Sequence, residues 1–480
     1  MIGLSAAYPC LSSAITPSGA LVNDIHSQLN ETRVREILEP QTLDDVLRAL
    51  HQARGSNQSI CISGGRHAMG GQAFSTDAIL FDIRKLNHVL AFDPIQGLLE
   101  VEAGIQWPQL LSELMIRQKG DPRPWTFSQK QTGADHLTIG GSLSANIHGR
   151  GLSLPPFIHD IDSFKLINAQ GDLLRCSRTE NTELFRLAIG GYGLFGFIYS
   201  VTLKLVRRRK VKRIVEIRDM EGLSNAFHQK IHEGYLYGDF QYSIDTPSDG
   251  FLRRGVFSCY KPVEDSAPLP QNQKTISDRD WIHLLTLAHT DKARAFQLYS
   301  DYYLSTHGQI YWSDEHQMSF YPDHYHTEID RKTGSKVKCT EAITEIYCER
   351  ESLEPFMNDV REDARRNQTE IIYGTIRLIE KDQESFLAWA QKSYACVIFN
   401  LHVVHTPEGI QKATSAFRRL IDIGIKYGGS YYPTYNRYAT REQLDACYPQ
   451  FSVFLKLKRR YDPTEIFQST WYRHYRKMFA

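Results

Sequence analysis

Three glycine-rich stretches in the first half of the chain constrain its fold more than any other feature of the sequence. They cover residues 63–72, 138–149 and 191–196. Glycine adopts backbone conformations closed to other residues and carries no side chain, so each stretch lets another body approach the main chain closely. We therefore expect this part of the chain to fold around a group that lies against its backbone.

The first stretch predicts a turn that binds an anion. It follows the short β-rich run Ser59–Ile62, and four glycines occur within eight residues around His67. A compact double anion, such as the pyrophosphate of a dinucleotide, needs several inward N–H groups with no side chains in the way. A plain loop is the alternative. The residues assigned to dinucleotide binding here are Ser63, Gly64, Gly65, Arg66, His67, Ala68 and Gln72.

The second stretch is rich in glycine, serine and alanine, so a flat ring could lie against its backbone. A tightly packed helix start is the alternative, and the nearby Asn146 and His148 favour a binding role. Unpaired backbone N–H groups around Gly140 are expected to donate hydrogen bonds to the same anion as those around Gly64. The residues assigned to binding here are Thr138, Gly140, Gly141, Ser144, Asn146 and His148.

The third stretch has the form Gly-x-Gly-x-x-Gly, which on its own is typical of nicotinamide dinucleotide binding. The order of the elements around it is the reverse of the order that such binding needs. A helical segment, Thr182–Ile189, precedes it and the strand Ile198–Val206 follows it, whereas the Rossmann arrangement needs a strand, then the turn, then a helix. The pattern therefore argues against a nicotinamide-dependent dehydrogenase.

These stretches, in this order, resemble the vanillyl-alcohol oxidase / p-cresol methylhydroxylase family of FAD enzymes. The resemblance covers roughly Glu39–Val206 and returns at Gly428–Tyr475. It implies that FAD is the dinucleotide, and that the glycine-rich turn cradles its pyrophosphate. Further residues are assigned to FAD on the same basis: Gly104, Thr132, Gly193, Gly196 and Ile198.

The resemblance also implies the fold class, which is α+β. We predict a two-part FAD-binding domain of the PCMH type over residues 25–208. An α+β substrate-binding cap domain with an antiparallel sheet is expected over residues 209–427. A C-terminal segment, 428–480, is expected to return to the FAD-binding domain.

In that family the histidine of the first turn often carries FAD covalently through the 8-methyl group of the ring. Gly65-Arg66-His67 resembles the Gly-x-His pattern of the family, which implies a covalent link at His67. A histidine that only lines the pocket is the alternative. Some relatives add a cysteinyl link just before the second stretch, but residues 131–136 contain no cysteine, so a single link is expected.

Two branches of the family are the most similar. Residues 147–198 resemble the decaprenylphosphoryl-ribose oxidase branch, which normally lacks the covalent histidine and has a lysine near the place of Tyr435. Glu341–Arg350 and Gly374–Arg377 resemble substrate-domain strands of the alditol and aldonolactone oxidases. In those enzymes an acidic residue usually lies two positions before the arginine, and here it is Thr375, which argues against a simple polyol substrate.

The resemblance implies that a hydride passes from the C–H bond of a CH–OH group to flavin N5 while a base removes the hydroxyl proton. His148 and His402 are the candidate bases, because histidine titrates near working pH. Arg377 is expected to be a fixed cation beside the N1/C2 side of the ring or a clamp for a substrate hydroxyl. A salt-bridged strand arginine is the alternative. Asn400 alternates with His402 in the strand sense, and Tyr435 is a further candidate for holding substrate.

The bulk composition limits the partners and the location. The net charge of +1 over 480 residues creates no field that favours nucleic acid, and the basic run Arg207–Arg213 is interpreted as a solvated strand end. Eight scattered cysteines form no CxxC pair, so we expect no metal site and no disulfide scaffold. Residues 1–16 make a poor signal peptide, and no apolar run is long enough to span a bilayer. These features predict a cytoplasmic protein without stable membrane insertion, and leave peripheral membrane contact open.

Three functions remain open from the sequence. The first is an FAD-dependent oxidoreductase that takes a hydride from a small sugar-like alcohol or lactone and passes electrons to oxygen or another acceptor. The second is a flavin-dependent oxidoreductase of a lipid-linked sugar or sterol-like substrate at the membrane surface. The third is a flavin-binding protein without turnover, ranked last because mere binding needs no cluster of polar residues in the second domain.

Overall fold

The computed structural model describes residues 19–318 and 325–480, so the segment 1–16 considered above lies outside the described residues. The strands of the described part are β1 (Ala20–Val22), β2 (Thr32–Val34), β3 (Glu36–Leu38), β4 (Ile60–Ser63), β5 (Ile79–Asp82), β6 (Val89–Asp93), β7 (Leu98–Glu102), β8 (Trp125–Thr126), β9 (Ile161–Ile167), β10 (Leu173–Ser177), β11 (Phe197–Lys204), β12 (Val206–Arg207), β13 (Lys210–Asp219), β14 (Tyr237–Tyr242), β15 (Arg254–Val263), β16 (Ile310–Trp312), β17 (Cys339–Glu349), β18 (Ile371–Ile379) and β19 (Tyr394–Val404).

The α-helices of the same residues are α1 (Leu43–Gly55), α2 (Trp107–Arg117), α3 (Ile139–Ala145), α4 (Thr182–Ala188), α5 (Leu223–His232), α6 (Asp278–Thr290), α7 (Lys292–Ser305), α8 (Tyr325–Thr333), α9 (Leu353–Arg366), α10 (Pro407–Lys426), α11 (Arg441–Cys447), α12 (Phe451–Tyr461) and α13 (Thr470–Met478). None of these helices is long and apolar enough to cross a membrane.

Two sheets of three or more strands, beside the two-stranded pairs β1-β2 and β12-β8, form from the N-terminal half of the chain. The smaller is a parallel sheet in the order β3-β5-β4, and the larger is an antiparallel sheet in the order β10-β9-β11-β7-β6. The first glycine-rich stretch begins where β4 ends, at the carboxyl end of a parallel strand. The chain returns to this sheet near its C-terminus, where Ile60 donates to the carbonyl of Ile466 and accepts from the N–H of Gln468.

A second antiparallel sheet, of seven strands, has the order β16-β13-β15-β14-β18-β19-β17. Strands β17 and β19 pair along their whole length, from Cys339 opposite Val404 to Glu349 opposite Tyr394. Alternating side chains of one strand face opposite sides of a sheet, so residues 341, 343 and 345 share one face. The predicted mixture of helices with an antiparallel sheet is therefore confirmed.

Local sequence explains several of these elements. Thr42 caps α1 and forms a capping box with Asp45. The turn at residues 170–172 joins β9 to β10 in a hairpin, with Gly171 at a φ of 94°, where a side chain would be strained. Helix α10 starts with Pro407 after its Thr406 cap.

Candidate active site

A cavity of about 490 Å³ is lined by the turn after β4, by helix α3 and by strands of the seven-stranded sheet. It brings together residues that lie far apart in the sequence. The predicted cofactor-binding residues that line it are Gly64, Gly65, Arg66, His67, Ala68, Gln72, Thr132, Thr138, Gly140, Gly141, Ser144, Gly193, Gly196 and Ile198. The predicted substrate-side residues that line it are Arg377, Asn400 and Tyr435.

The turn after β4 carries main-chain amides that the protein itself does not use. Gly65, Arg66, His67 and Ala68 donate no backbone hydrogen bond to any of the described residues. A Cβ on Gly65 would lie 2.2 Å from the carbonyl oxygen of His136, so a side chain does not fit there. Such a run of unused amides is what a bound anion requires.

The first and second glycine-rich stretches are in contact, because a Cβ on Gly64 would lie 2.1 Å from Oγ1 of Thr138. The expectation of bare amides around Gly140 is wrong, however. Its N–H donates to the carbonyl of Ala103 at 2.7 Å, since the stretch continues as helix α3 with Thr138 as its cap. The second stretch contributes small side chains rather than free amides. The residues of α3 that line the cavity are Gly140, Gly141, Ser144 and Ala145.

His67 places a neutral imidazole at the cavity. Its Nδ1 lies 2.9 Å from Nε2 of His26, and its own Nε2 is buried without a hydrogen-bond partner among the described residues. Burial lowers the pKa of His67 well below 6.5, and the neighbouring His26 and His136 lower it further. The ring is therefore uncharged near pH 7, which is the form of histidine that can act as a nucleophile.

These features fit a flavin dinucleotide. Unused amides at residues 65–68 suit a pyrophosphate, and the small residues of α3 leave room for a flat ring. The buried, unpartnered Nε2 of His67 is a polar atom that the protein leaves unsatisfied, and such atoms cost free energy unless a ligand meets them.

On the side of the seven-stranded sheet, Tyr435 connects the cavity to a buried pair formed by a carboxylate and a histidine. Its hydroxyl donates to Oε1 of Glu345 at 3.0 Å, and Oε2 of the same carboxylate lies 2.9 Å from Nε2 of His148. Burial and the adjacent carboxylate raise the pKa of Tyr435 well above 10. Burial alone would raise the pKa of Glu345, but His148, Arg377 and the Tyr435 hydrogen bond hold it below 4.5. The site therefore contains a neutral phenol bonded to a carboxylate.

Arg377 and Asn400 line the cavity with unsatisfied polar atoms. Nε of Arg377 and Oδ1 of Asn400 are buried without a hydrogen-bond partner in the described part of the chain. The interpretation of Arg377 as a salt-bridged strand arginine is not supported, because no carboxylate of the described residues lies within 4.0 Å of its guanidinium nitrogens. Its nearest acceptor is the carbonyl of Gly149, 3.5 Å from Nη1. Arg377 can therefore donate a hydrogen bond to a ligand, and Asn400 can accept one.

The interpretation of Arg207–Arg213 as a solvated strand end is wrong for its last member. Arg213 is buried and lines the cavity, where it donates to the hydroxyls of Tyr260 and Thr306. Val211 and Val215, two residues to either side, are also buried. This period of two was the signal in the sequence that places Arg213 on the inward face of β13.

The same end of the cavity holds Arg150 and Asp239, which the sequence did not single out. Their side chains form a buried ion pair, with Nη1 of Arg150 3.3 Å from Oδ2 of Asp239. Oδ1 of Asp239 and Nε of Arg150 have no hydrogen-bond partner among the described residues. This end therefore offers both a donor and an acceptor to a polar ligand.

Several predicted site residues do not line the cavity. Gly104 packs against the turn that follows β5, where a Cβ would lie 1.8 Å from the carbonyl oxygen of Ile83. Ser63 is buried at the end of β4, and Asn146 donates to Asp382 while accepting from the N–H of Ile158. The remaining two are histidines: His148 lies behind Glu345, and His402 lies beside Glu341 on β17.

Comparison with known proteins shows which domain family the N-terminal region resembles. Residues 34–177 match the FAD binding domain family. An uncharacterized oxidoreductase from the fasciation locus of Rhodococcoides fascians is 27% identical over 218 residues, which is 45% of this chain and 48% of that protein.

Two further relatives match the same region. L-gulonolactone oxidase of Bos taurus is 29% identical over 168 residues, 35% of this chain and 36% of that protein. Cytokinin dehydrogenase 1 of Arabidopsis thaliana is 27% identical over 176 residues, 35% of this chain and 29% of that protein. The matched part thus spans less than half the length of these curated relatives. The predicted relationship to FAD-linked oxidases is confirmed by these matches.

Proposed function

With residues 34–177 belonging to the FAD binding domain family, we propose that this chain is an FAD-linked oxidoreductase that oxidises a CH–OH group of a sugar-like alcohol or lactone. The observation that carries the proposal is the cavity itself. Unused amides and small residues line one side of it, and Arg377, Asn400 and Tyr435 line another. A redox cofactor and a hydroxylated substrate can therefore meet there.

FAD would be held by the amides of residues 65–68 at its pyrophosphate and by α3 at its ring. Bound there, FAD supplies the acceptor for a hydride from the substrate carbon. We assign residues 25–208 and 428–480 to the FAD-binding part and residues 209–427 to the substrate-binding part. The return of the chain to Ile60 at residues 466–468 supports this division.

We propose that His67 forms the single covalent link to FAD. Its imidazole is neutral because burial lowers the pKa, and His26 holds Nδ1 so that the ring cannot rotate freely. Residues 131–136 offer no cysteine for a second link. A histidine that lines the cavity without bonding to FAD is the alternative, and the two differ in whether the flavin survives denaturation.

Tyr435 is the group that we assign to the substrate hydroxyl. Its oxygen can accept the hydroxyl proton while its own proton passes to Oε1 of Glu345, 3.0 Å away. His148 supports this carboxylate from behind through Nε2, so the role first predicted for His148 as a base becomes a positioning role. His402 does not line the cavity and is not part of the proposed mechanism.

The charge distribution favours a neutral or acidic, hydroxyl-rich substrate. Arg213 and Arg377 line the cavity, and neither forms an ion pair with a described residue. Buried guanidinium groups without a carboxylate partner are costly, and they repel a protonated amine. Arg213 already donates to the hydroxyls of Tyr260 and Thr306, whereas Nε of Arg377 has no partner among the described residues. A hydroxyl, lactone or carboxylate oxygen would satisfy Arg377, which supports a sugar acid or lactone over an amine.

The test is a panel of compounds mixed with the FAD-loaded protein in the absence of oxygen, followed by the visible absorbance of the flavin. The panel contains aldonolactones, sugar acids, polyols, an aliphatic secondary amine and a lipid-linked sugar in detergent. We expect bleaching by a lactone or sugar acid, with the keto product detected by mass spectrometry. Bleaching by the amine alone, or by the lipid-linked sugar alone, would contradict the proposed substrate class.

A further inference from the structure

A cluster of His289, Glu341 and His402 lies outside the cavity described above and has no part in the proposed redox reaction. The three side chains come from three elements: α6, β17 and β19. Oε1 of Glu341 lies 3.0 Å from Nε2 of His289 and 3.6 Å from Nδ1 of His402. The three ligand atoms all lie within 4.8 Å of one another.

The ring nitrogens that point into this cluster are unsatisfied. Nε2 of His289 and Nδ1 of His402 are buried, and neither makes a hydrogen bond to any residue in the described ranges. The side chains of His289, Glu341 and His402 are 7%, 3% and 16% exposed, so bulk water has little access to these atoms. Polar atoms buried in this way indicate a missing partner.

The two oxygens of the Glu341 carboxylate have different partners. Oε2 accepts a hydrogen bond from the hydroxyl of Tyr325, and Oε1 faces both imidazoles. An outer hydrogen bond that orients a ligating carboxylate is a common feature of metal sites. The arrangement leaves Oε1 as one oxygen ligand and the two ring nitrogens as the others.

We propose that His289, Glu341 and His402 bind a divalent transition-metal ion of the Zn²⁺ class. Two imidazoles and one carboxylate are a ligand set that Zn²⁺ accepts, with bonds of about 2.0–2.2 Å. Ligand atoms of a tetrahedral site with such bonds lie about 3.3 Å apart, and the two nitrogen–oxygen distances of 3.0 and 3.6 Å lie on either side of that value. This site replaces the expectation, drawn from the scattered cysteines alone, that the chain binds no metal.

The ion joins a helix to the sheet beside the substrate cavity. Trp281 and Leu285 of α6 line the cavity, and His289 lies one turn beyond Leu285 on the same helix. Glu341 and His402 are opposite each other on β17 and β19. The role we assign to the ion is to fix this wall of the cavity to the sheet.

The experiment measures metal content and Zn²⁺ affinity of the purified full-length protein. After exhaustive dialysis against chelator, Zn²⁺ is titrated by calorimetry, and bound metal is counted by elemental analysis after gel filtration. We expect one Zn²⁺ per chain for the wild type. Tyr325→Phe keeps all three ligands and is expected to weaken binding by about 10- to 100-fold, as loss of an orienting partner does.

His283→Gln is the matched control, because His283 is an exposed histidine of the same helix. It should bind one Zn²⁺ with unchanged affinity, whereas His289→Gln and His402→Gln should each abolish stoichiometric binding. Folding of every variant is checked by its near-ultraviolet circular dichroism before titration. A wild type that binds no Zn²⁺, or a His289→Gln/His402→Gln double variant that still binds one equivalent, would overturn the proposal whatever the fate of the redox activity.

Discussion

The hydroxyl of Tyr435 donates a hydrogen bond to Oε1 of Glu345 at 3.0 Å, across the boundary between the cavity and the sheet behind it. Tyr435 lines the cavity and Glu345 does not, so the pair connects a substrate to a buried carboxylate. That carboxylate is held on its other oxygen by His148 and by the hydroxyl of Tyr347. The predicted mechanism depends on this connection.

Replacing Tyr435 by Phe should reduce kcat by about 10²- to 10⁴-fold, the usual contribution of a positioned proton-transfer group. The flavin content should not change. Tyr347→Phe is the matched control, because it removes a hydrogen bond to the same carboxylate from a tyrosine that does not line the cavity. Its kcat should change less than about tenfold. Equal losses in the two variants, measured by single-turnover flavin reduction, would show that Tyr435 only stabilises Glu345.

Replacing Arg377 by Met should lower kcat/KM by roughly 10- to 150-fold, which corresponds to about 1.5–3 kcal/mol for a hydrogen bond from a charged group. The two roles considered for Arg377 differ in the parameter affected. Loss of a substrate clamp raises KM with little change in the flavin midpoint potential, whereas loss of a cation beside the N1/C2 side of the ring lowers that potential and kcat. Arg366→Met, on the exposed surface of α9, should leave all three quantities unchanged.

Trypsin cleavage after Arg66 and Arg84 releases a peptide of residues 67–84. We predict that mass spectrometry finds the FAD adduct on this peptide and on no other, and that His67→Ala retains only flavin that denaturation releases. His26→Gln removes the hydrogen bond to Nδ1 of His67, so incorporation should slow by roughly two- to twelve-fold, for about 0.5–1.5 kcal/mol. His51→Gln, an exposed control, should incorporate FAD at the wild-type rate. An adduct elsewhere in the chain would refute the assigned link.

His316 makes the stability of the protein depend on pH. Burial lowers its pKa well below 6.5, and the charges of Arg150 and Arg213 lower it further. The unfolded chain takes up a proton on this residue as the pH falls below 6.5, and the folded chain does not. Stability is therefore lost on acidification, by about 1.4 kcal/mol per pH unit for each such histidine.

The corresponding measurement is urea denaturation between pH 7 and pH 5. The slope of the free energy of unfolding against pH should be smaller in His316→Gln than in the wild type by up to about 1.4 kcal/mol per pH unit. His51→Gln should keep the wild-type slope, since His51 is exposed. Identical slopes for the wild type and His316→Gln would show that His316 is not held neutral in the folded state.

Local signals in the sequence predicted the elements that depend on neighbours in the chain. The helical segment before residues 191–196 and the strand after them were predicted, and the structure has α4 and β11 there. The Thr42 cap and the hairpin of β9 and β10 likewise depend on residues close in the chain. In each case the physical cause is a hydrogen bond or a backbone preference within a few residues. The same holds for the helix that begins after Thr406.

Features that depend on long-range pairing could not be predicted. Glu345 becomes part of the site only because β17 pairs with β19 and α3 leads into His148. The resemblance of residues 341–350 to substrate-domain strands does not reveal this pairing. Asn400 and His402 do alternate on one strand as predicted, yet only Asn400 lines the cavity. The amides around Gly140 are not free, because the N–H groups of Ile139 and Gly140 donate to the carbonyls of Ile105 and Ala103. Glycine composition alone does not reveal which donors the protein uses itself.

The amount of FAD that the full-length protein holds is the most direct test of whether the cavity binds this cofactor. The protein is incubated with FAD, separated from free FAD by gel filtration, and its visible spectrum is compared with its protein concentration. We predict one FAD per chain for the wild type. We expect a clear loss of bound FAD when Gly65→Val places a side chain against the carbonyl of His136. A folded wild-type protein that remains colourless after this treatment would contradict the assignment of the cavity to FAD.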